Sequence, residues 1–359
     1  MVKKKHIKKQ KGEALAKYSG SKSYIKGKLF EKILQLLLIK AGFSTDVTGM
    51  QVTLNQKKLH GRGATYDPDF FKQFSLGIPF INPLMLVLEA KNYNKPIGLK
   101  IVREFLGAFI DVSQYVRINT KKFGQLRYDV LFDTRYNYCP VIFSLKGFQK
   151  RAKGLMFAHG INFISYENSE IMANILVLLD ELVGKINFSR FQKEDFQLFE
   201  DLQQIKNLRS IAKRSGFNIA LDNFTVYLNK VNSLIGVLDF KYPVHILYEK
   251  SIAASYVRNV RIVHKKDNLF ILENIVKRKF GEFSYGKVFL KEYIQYAQKR
   301  GLIDKILTEI DVVQVTKDTM TLRKLKIDET SKQELINELT NIPSETEPEV
   351  SNIPIATVG

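Results

Sequence analysis

The chain has 359 residues, more than one typical domain, and 45% of them are hydrophobic, which excludes a globally disordered protein. It holds 56 basic and 36 acidic residues, and the net charge of +20 favours nucleic acid over an anionic membrane surface as the partner. The single cysteine, Cys139, excludes an internal disulfide and a zinc finger, so we expect a core thiol and a cytoplasmic protein. Apolar runs are shorter than the roughly 20 residues of a membrane span, so we expect no membrane partner.

The chain opens with a basic segment. Residues 1–28 hold ten lysines and one acidic residue, which predicts a flexible basic arm over residues 1–24. Residues 26–42 carry apolar side chains three and four apart, which predicts a helix that ends at Gly42. Glu31 lies near the edge of that apolar stripe. Two extended segments, 43–54 and 64–71, are predicted on either side of a polar loop, 56–63.

Strands and helices then alternate as far as residue 187. A short apolar run at residues 84–90, with prolines on both sides, predicts a buried central strand. Two further strands are predicted at 140–145 and 161–166, and three helices at 98–116, 148–159 and 171–183. This alternation predicts an α/β domain over residues 25–187, with a mixed sheet flanked by helices.

The composition changes near residue 188. Residues 188–214 predict a helical connector. Residues 215–327 contain short β-like runs, a helix at 287–300 and a closing hairpin at 312–325, which predict a second, smaller α+β module that binds DNA or mediates oligomerisation. Residues 328–359 carry seven acidic residues against one lysine, and we expect an acidic, disordered tail.

The end of the predicted central strand carries a pair of charges. Glu89 and Lys91 are two residues apart and therefore point to the same face of a strand. Charges that emerge from a buried strand are unfavourable unless they are paired or functional, and a plain surface ion pair is the alternative interpretation. Asp69 lies twenty residues upstream, at the end of the predicted strand 64–71, and antiparallel pairing would bring it beside Glu89.

This arrangement predicts metal-assisted chemistry. Two neighbouring carboxylates, Asp69 and Glu89, repel each other, and a Mg²⁺ ion relieves the repulsion. The Lys91 ammonium cannot bind a metal while charged, but it can orient or help deprotonate a metal-bound water, or neutralise charge on a phosphate. These are the elements of phosphodiester hydrolysis.

Further short motifs follow one another in a fixed order over residues 25–168. In chain order they are Gly27 with Phe30-Glu31, Gly42-Phe43, Gly61-Arg62-Gly63, Asp69, Glu89-Ala90-Lys91-Asn92-Tyr93, Ile97-Gly98, Val102 with Gly107-Ala108, Ser144, Gly147-Phe148, Ala152, Ala158 and Gly160-Ile161. In this order and spacing the chain resembles the PD-(D/E)xK nuclease superfamily and, within it, the Mrr-like restriction endonucleases. The resemblance implies a restriction-endonuclease-like fold and a metal-dependent DNA endonuclease of restriction or phage-defence type.

The resemblance also implies roles for individual residues. Asp69, Glu89 and Ala90 would bind Mg²⁺, with Mn²⁺ as a substitute. Lys91 would act in catalysis, and Glu31 would help to bind the metal or steady the site from the first helix.

The same resemblance implies contacts with substrate. Arg62 and Lys95 are expected to contact double-stranded DNA. His60 is expected to be a polar loop residue. Cleavage of both strands requires two active centres or rebinding, so a homodimer is expected on symmetry grounds.

Two features depart from the family pattern. A His-Gln pair often precedes the metal-binding aspartate in the family, whereas this chain reads Tyr66-Asp67-Pro68-Asp69, so Asp67 stays an alternative metal ligand. Residues 117–138 are longer than a minimal family core requires. Two other functions stay open: a nuclease fold that binds DNA without cutting it, and a basic structural or regulatory protein in which the Glu89 and Lys91 pair is accidental.

Overall fold

The structure is a computed structural model that describes residues 22–43, 52–53, 58–73, 82–114, 136–187, 205–239, 242–249, 257–266, 269–285, 287–315 and 320–341. Most of the predicted basic arm, most of the predicted connector and the last part of the predicted acidic tail lie outside these residues. Within the described ranges, no helix combines the length and the apolarity that crossing a membrane requires.

The first helix, α1 (Lys22–Lys40), buries its apolar face completely. Six side chains at three- and four-residue spacing have no exposed surface: Leu29, Phe30, Ile33, Leu34, Leu37 and Leu38. Gly42 follows the helix with a φ of +111°, which residues with a side chain rarely adopt. The Phe43 N–H then donates to the Leu38 carbonyl at 3.1 Å and satisfies a terminal helix acceptor. The predicted helix is confirmed.

A small antiparallel sheet follows α1 in the chain. Its strands are β1 (Val52–Thr53), β2 (Lys58–His60) and β3 (Thr65–Tyr66). The prediction of a polar loop over residues 56–63 is therefore wrong at residues 58–60, which include His60. Leu59 has no exposed surface and packs into a hydrophobic core, and this burial explains why the segment is a strand.

Four strands form the open end of the main sheet. They are β4 (Phe70–Gln73), β5 (Leu84–Lys91), β6 (Asn137–Ser144) and β7 (Asn162–Ser165). Their order in the sheet follows the chain, with β4 antiparallel to β5 and the remaining neighbours parallel. The predicted mixed sheet of an α/β fold is present.

Helices cover both faces of these four strands. They are α1, α2 (Leu99–Ser113), α3 (Lys150–Ala158) and α4 (Glu170–Lys185). Along β5, Met85 and Val87 belong to the core that contains residues of α2 and α3, whereas Leu86 and Leu88 belong to the core of α1 and α4. β5 is thus buried on both faces, as predicted for a central strand.

Seven described strands close into a barrel. The strands are β8 (Val231–Leu238), β9 (Tyr242–Glu249), β10 (Asn259–Lys266), β11 (Leu269–Glu273), β12 (Lys279–Ser284), β13 (Glu309–Val315) and β14 (Met320–Ile327). Around the barrel their order is β11, β10, β14, β13, β8, β9 and β12, and pairing of β12 with β11 closes it. The associated helices are α5 (Ile205–Ser215), α6 (Asn218–Lys230), α7 (Lys287–Lys299) and α8 (Glu329–Thr340), with a 3₁₀ turn at Ile303–Lys305.

The barrel and the four-stranded part are joined in one sheet and share a core. Ser284 of β12 pairs with Ser165 of β7. One core cluster contains apolar residues of α1 and α4 together with Val231, Leu247 and Val313 of the barrel strands. The C-terminal part supplies seven of the eleven strands of the main sheet and has a core cluster of its own besides the shared one, so the predicted division into two modules stays a prediction.

Polar side chains fill the place where β7, β9 and β12 meet. We call Tyr166, Ser169, His245 and Glu282 the junction cluster. The Tyr166 hydroxyl lies 2.6 Å from Nδ1 of His245. The Glu282 carboxylate accepts hydrogen bonds from the Ser169 hydroxyl and, at 2.8 Å, from the Ile171 N–H at the start of α4. These bonds fix the barrel to the α/β part.

The expectation of a disordered tail from residue 328 is wrong for residues 329–340. Asp328 caps α8 by accepting a 3.0 Å hydrogen bond from the Ser331 N–H. Leu335, Ile336 and Leu339 are buried against the barrel core. The acidic residues lie on the outer face of the helix, so an overall acidic composition concealed an amphipathic pattern.

Candidate functional site

Asp69 and Glu89 meet at one end of the antiparallel pair β4 and β5. Phe70 pairs with Leu88, so Asp69, the residue just before β4, comes opposite the end of β5. The Ala90 N–H donates a 2.8 Å hydrogen bond to Oδ2 of Asp69. The prediction that antiparallel strands bring the two carboxylates together is confirmed, although Asp69 precedes its strand where the sequence placed it at the end of one.

Lys91 lies between the two carboxylates. Its ammonium is in direct contact with Oε1 of Glu89 and is 3.8 Å from Oδ2 of Asp69. The three side chains are between 14% and 23% exposed, so they are largely shielded but open to solvent. One cation here faces two anions, and the group carries a net negative charge.

That imbalance shifts the pKa values at the site. Burial, followed by the negative charge of Asp69, raises the pKa of Glu89 above its ordinary value, although Lys91 opposes the shift. Burial disfavours the charge on Lys91, but the contacts with Glu89 and Asp69 outweigh it and raise the pKa of the ammonium. Lys91 is therefore held in its charged form at neutral pH.

Glu31 reaches the same group from α1. Burial and the negative charge of Asp69 raise the pKa of Glu31 from 4.5 to about 7, against a 2.7 Å ion pair with Lys28. One turn later on the helix, Nε2 of Gln35 donates to the backbone carbonyl of Asp69 at 2.8 Å. We call Glu31, Asp69, Glu89 and Lys91 the strand-end cluster. All four predicted catalytic residues thus belong to one electrostatically coupled group.

A cavity of about 290 Å³ adjoins this cluster. Glu89 and Lys91 form part of its wall. The other walls come from β2 and β3, from β5 and from α2, and most of their side chains are apolar or aromatic. Asp67 also lines the cavity and is exposed, whereas the described bonds of Asp69 lead to the end of β5 and to α1. The two candidate aspartates therefore occupy different positions around the site.

The Gly61-Arg62-Gly63 turn is attached to α2 through Asp111. The Asp111 carboxylate accepts hydrogen bonds from the N–H groups of Gly63 at 2.9 Å and Ala64 at 3.2 Å. The Arg62 N–H donates to the Asp111 backbone carbonyl at 3.0 Å. A Cβ atom at Gly61 would lie 2.0 Å from Oδ2 of Asp111, so a larger residue there would have to displace the Asp111 carboxylate. Asp111 was not predicted as a site residue. Its one signal in the sequence is that it adjoins the apolar Val112.

The remaining predicted residues lie around the site. Arg62 and Lys95 are exposed, as residues that contact DNA would have to be. The peptide of Ala90 is bonded to Asp69, and its side chain is buried on the opposite face of β5.

Burial raises the pKa of the Cys139 thiol on β6 to about 11, so the thiol stays protonated and is not a ready nucleophile. Most of the long basic segment at residues 117–138 lies outside the described residues.

The fit of a metal ion can be judged from the side chains. In the described part of the chain, no three His, Cys, Asp or Glu residues are arranged to hold a metal ion. Asp69 and Glu89 nevertheless supply hard carboxylate oxygens of the kind that Mg²⁺ prefers, with a backbone carbonyl nearby at Ala90. Burial and the negative charge of Asp69 raise the pKa values of Glu89 and Glu31, and a divalent ion would supply the positive charge that these carboxyl groups lack. The donor chemistry of these residues is thus of the kind that suits Mg²⁺.

Comparison of the chain with protein-family models, with curated proteins and with solved structures finds no match.

Proposed function

We propose that this chain is a Mg²⁺-dependent endonuclease that hydrolyses DNA phosphodiester bonds, with a PD-(D/E)xK-type site on a restriction-endonuclease-like sheet over residues 25–187. One observation carries the proposal. Asp69 and the Glu89-Ala90-Lys91 segment, twenty residues apart in the chain, converge at the end of β4 and β5, where two carboxylates share one ammonium. The net charge of +20 supports a polyanionic substrate.

Each residue has a distinct part in this chemistry. Asp69 and Glu89, with the Ala90 carbonyl, would hold the metal, and Glu31 would complete the acidic group from α1. When bound, Mg²⁺ would activate water and stabilise charge on the phosphoryl oxygens. Lys91, which stays protonated, would orient the attacking water and neutralise charge on the phosphate, which assigns it an electrostatic role and not that of a base.

Residues around the cluster, and a second copy of the chain, would have roles in binding and cutting the substrate. Arg62 and Lys95 would contact the phosphate backbone of double-stranded DNA. Two copies of the chain would cut the two strands, which makes a homodimer part of the proposal. A restriction or phage-defence role in the cytoplasm would follow from an endonuclease of this type.

The test is plasmid cleavage by the full chain, with Mg²⁺, with Mn²⁺ and with a chelator. We expect metal-dependent cutting that is lost in Asp69→Ala, Glu89→Ala and Lys91→Ala, while DNA binding is retained. Glu181→Ala, which removes an exposed carboxylate on α4, is the matched control and should cut normally. Asp67→Ala decides the register: loss of cutting there, with Asp69→Ala active, would transfer the metal ligand to Asp67.

A DNA-binding protein without turnover is the second candidate. Lys91 already lies against both carboxylates and partly neutralises them without a metal, which is the observation in its favour. Under that function the wild-type chain binds DNA but leaves methylated, unmethylated, single-stranded and double-stranded DNA intact with either metal. That result would overturn the endonuclease proposal.

A further inference from the structure

The cavity beside the strand-end cluster is built from four elements. Leu59 and Tyr66 contribute from β2 and β3, Val87 from β5, and Phe105 and Phe109 from α2. The hydrogen bonds of Asp111 to the Gly63 and Ala64 N–H groups hold the β2–β3 turn against α2. The walls are therefore fixed relative to one another, and the cavity belongs to the folded structure.

The size and lining of the cavity select its ligand. A volume of about 290 Å³ is at the lower limit of small-molecule sites, which usually run from about 300 to 1,000 Å³, so a single small ring system fits better than a dinucleotide cofactor. Four of the lining side chains are aromatic: Tyr66, Tyr93, Phe105 and Phe109. Aromatic side chains bind nucleobases by stacking, without requiring a particular sequence.

The charged residues of the lining exclude a phosphate and accept a base. Asp67, Glu89 and Glu104 contribute three carboxylates against one ammonium, that of Lys91, so an anion would be repelled from the interior. A nucleobase is neutral, and the exocyclic amino groups of cytosine, adenine and guanine donate hydrogen bonds that carboxylates accept.

We propose that the cavity binds one unstacked nucleobase of the DNA strand whose backbone lies at the strand-end cluster. The proposal rests on the endonuclease function proposed above. Glu89 and Lys91 belong both to the cluster and to the cavity wall, so a base in the cavity would place its own phosphodiester next to Asp69 and Glu89. DNA in which a base is already unpaired would then bind and be cut more readily than a perfect duplex, since a stacked base must first be extruded from the helix.

The test is photo-crosslinking with DNA that contains 5-iodocytosine, a base that carries an exocyclic amino group. The full wild-type chain is mixed with single-stranded DNA, with duplexes that carry one unpaired iodocytosine, and with perfect duplexes, in Ca²⁺ instead of Mg²⁺. After irradiation, the modified peptides are identified by mass spectrometry. We expect crosslinks at Tyr66, Tyr93 or Phe109, with a higher yield from the unpaired base than from the perfect duplex.

Two substitutions separate binding in the cavity from general DNA binding. Ala108→Phe fills the cavity from α2, and Phe109→Ala removes one aromatic wall; each should lower the crosslinking yield about tenfold, the size expected for the loss of one stacked base. Phe157→Ala removes an aromatic side chain that is 66% exposed on α3 and should leave the yield unchanged. Thermal unfolding of each variant checks that it is folded.

The outcomes distinguish this inference from the endonuclease proposal. Crosslinks that map outside the cavity, or a yield that Ala108→Phe does not change, would overturn the base site even if the chain cuts DNA. Crosslinks in the cavity of a chain that cuts no DNA in Mg²⁺ would keep the base site and remove the nuclease.

Discussion

Glu282 and Glu89 are both largely buried, and their surroundings differ. In the junction cluster, Glu282 has no exposed surface, and its carboxylate accepts bonds from the Ser169 hydroxyl, the Ile171 N–H and, at 3.0 Å, the Lys279 ammonium. In the strand-end cluster, Glu89 is 23% exposed, and its hydrogen bond comes from Lys91, which Asp69 also attracts.

The difference separates a structural carboxylate from a candidate catalytic one. A buried carboxylate that has several fixed donors is satisfied and serves the fold. A carboxylate that shares one cation with a second carboxylate keeps uncompensated charge; at Glu89, burial first and the charge of Asp69 second raise the pKa. Charge of this kind next to a cavity is what a metal-binding or catalytic site requires.

The largest expected effect tests Glu89, the proposed catalytic member of the pair. Glu89→Ala should lower the rate of Mg²⁺-dependent DNA cleavage by at least about 10²-fold, the usual effect of removing one preorganised electrostatic group. Its free energy of unfolding should change by less than about 1 kcal/mol, because the substitution also removes the repulsion with Asp69. Cleavage rates and chemical denaturation measure the two quantities. A folded variant that cuts DNA at the wild-type rate would contradict the catalytic role proposed for Glu89.

The structural member should behave in the opposite way. Glu282→Ala leaves the Ser169 hydroxyl and the Ile171 N–H without their acceptor, and we expect the free energy of unfolding to fall by about 3 kcal/mol, since each unsatisfied buried donor costs about 1–3 kcal/mol. Denaturant titration of the variant measures the loss. A variant as stable as the wild type would show that the junction cluster does not hold the two parts together.

The pH dependence of stability sharpens the same contrast. His245 is buried, and burial lowers its pKa from 6.5 to about 3, so the unfolded chain binds a proton between these values that the folded chain does not. Stability is therefore retained above pH 6.5 and lost as the pH falls, by about 1.4 kcal/mol at pH 5.5 from this residue. In His245→Gln, which keeps an acceptor for the Tyr166 hydroxyl, this part of the acid sensitivity should disappear from denaturation curves measured between pH 7.5 and 5.5.

The smallest expected effect concerns Asp111. It lies beside the candidate site, but like Glu282 its carboxylate accepts hydrogen bonds from backbone N–H groups. Asp111→Ala should reduce the free energy of unfolding by about 1 kcal/mol, because the Gly63 and Ala64 N–H groups lose their acceptor near the surface. Asp222→Ala breaks a 3.7 Å exposed ion pair with Arg209 and should change stability by less than about 0.5 kcal/mol. Equal effects in the two variants would remove the structural role of Asp111.

Local patterns in the sequence predicted the α/β part of the fold. The helical spacing in α1 and the apolar run of β5 are strong signals because tertiary packing agrees with them. α6 was missed, although Ala220, Leu221, Phe224 and Leu228 are buried at helical spacing, because β-like runs follow it in the chain. Closure of the barrel depends on β11 pairing with both neighbours and on the parallel pairing of β10 with β14. β11 forms short hairpins with both neighbours, but the β10–β14 pairing joins segments that are far apart in the chain and has no local signature.

For the candidate site, too, the local pattern was predictable and the long-range geometry was not. Alternation along a strand placed Glu89 and Lys91 on one face, and the structure brings Asp69 to the same strand end. The cavity was not predictable. One of its walls is β2, where the sequence predicts a loop, and the β2–β3 turn is held in place by hydrogen bonds to the distant Asp111. The balance of charges that shifts the pKa values of Glu31 and Glu89 also depends on distances that only the folded chain fixes.

Helix α1 has a further consequence for how the molecule unfolds. The helix carries Glu31, and its other end is held by the barrel: the Ser233 hydroxyl donates to the Leu37 carbonyl, and the Lys40 ammonium donates to the carbonyls of Leu228 and Val231. The barrel cannot open without uncovering the apolar face of the helix that supports Asp69. Calorimetry should therefore record one cooperative transition for both parts of the chain, in which the barrel and the strand-end cluster unfold together.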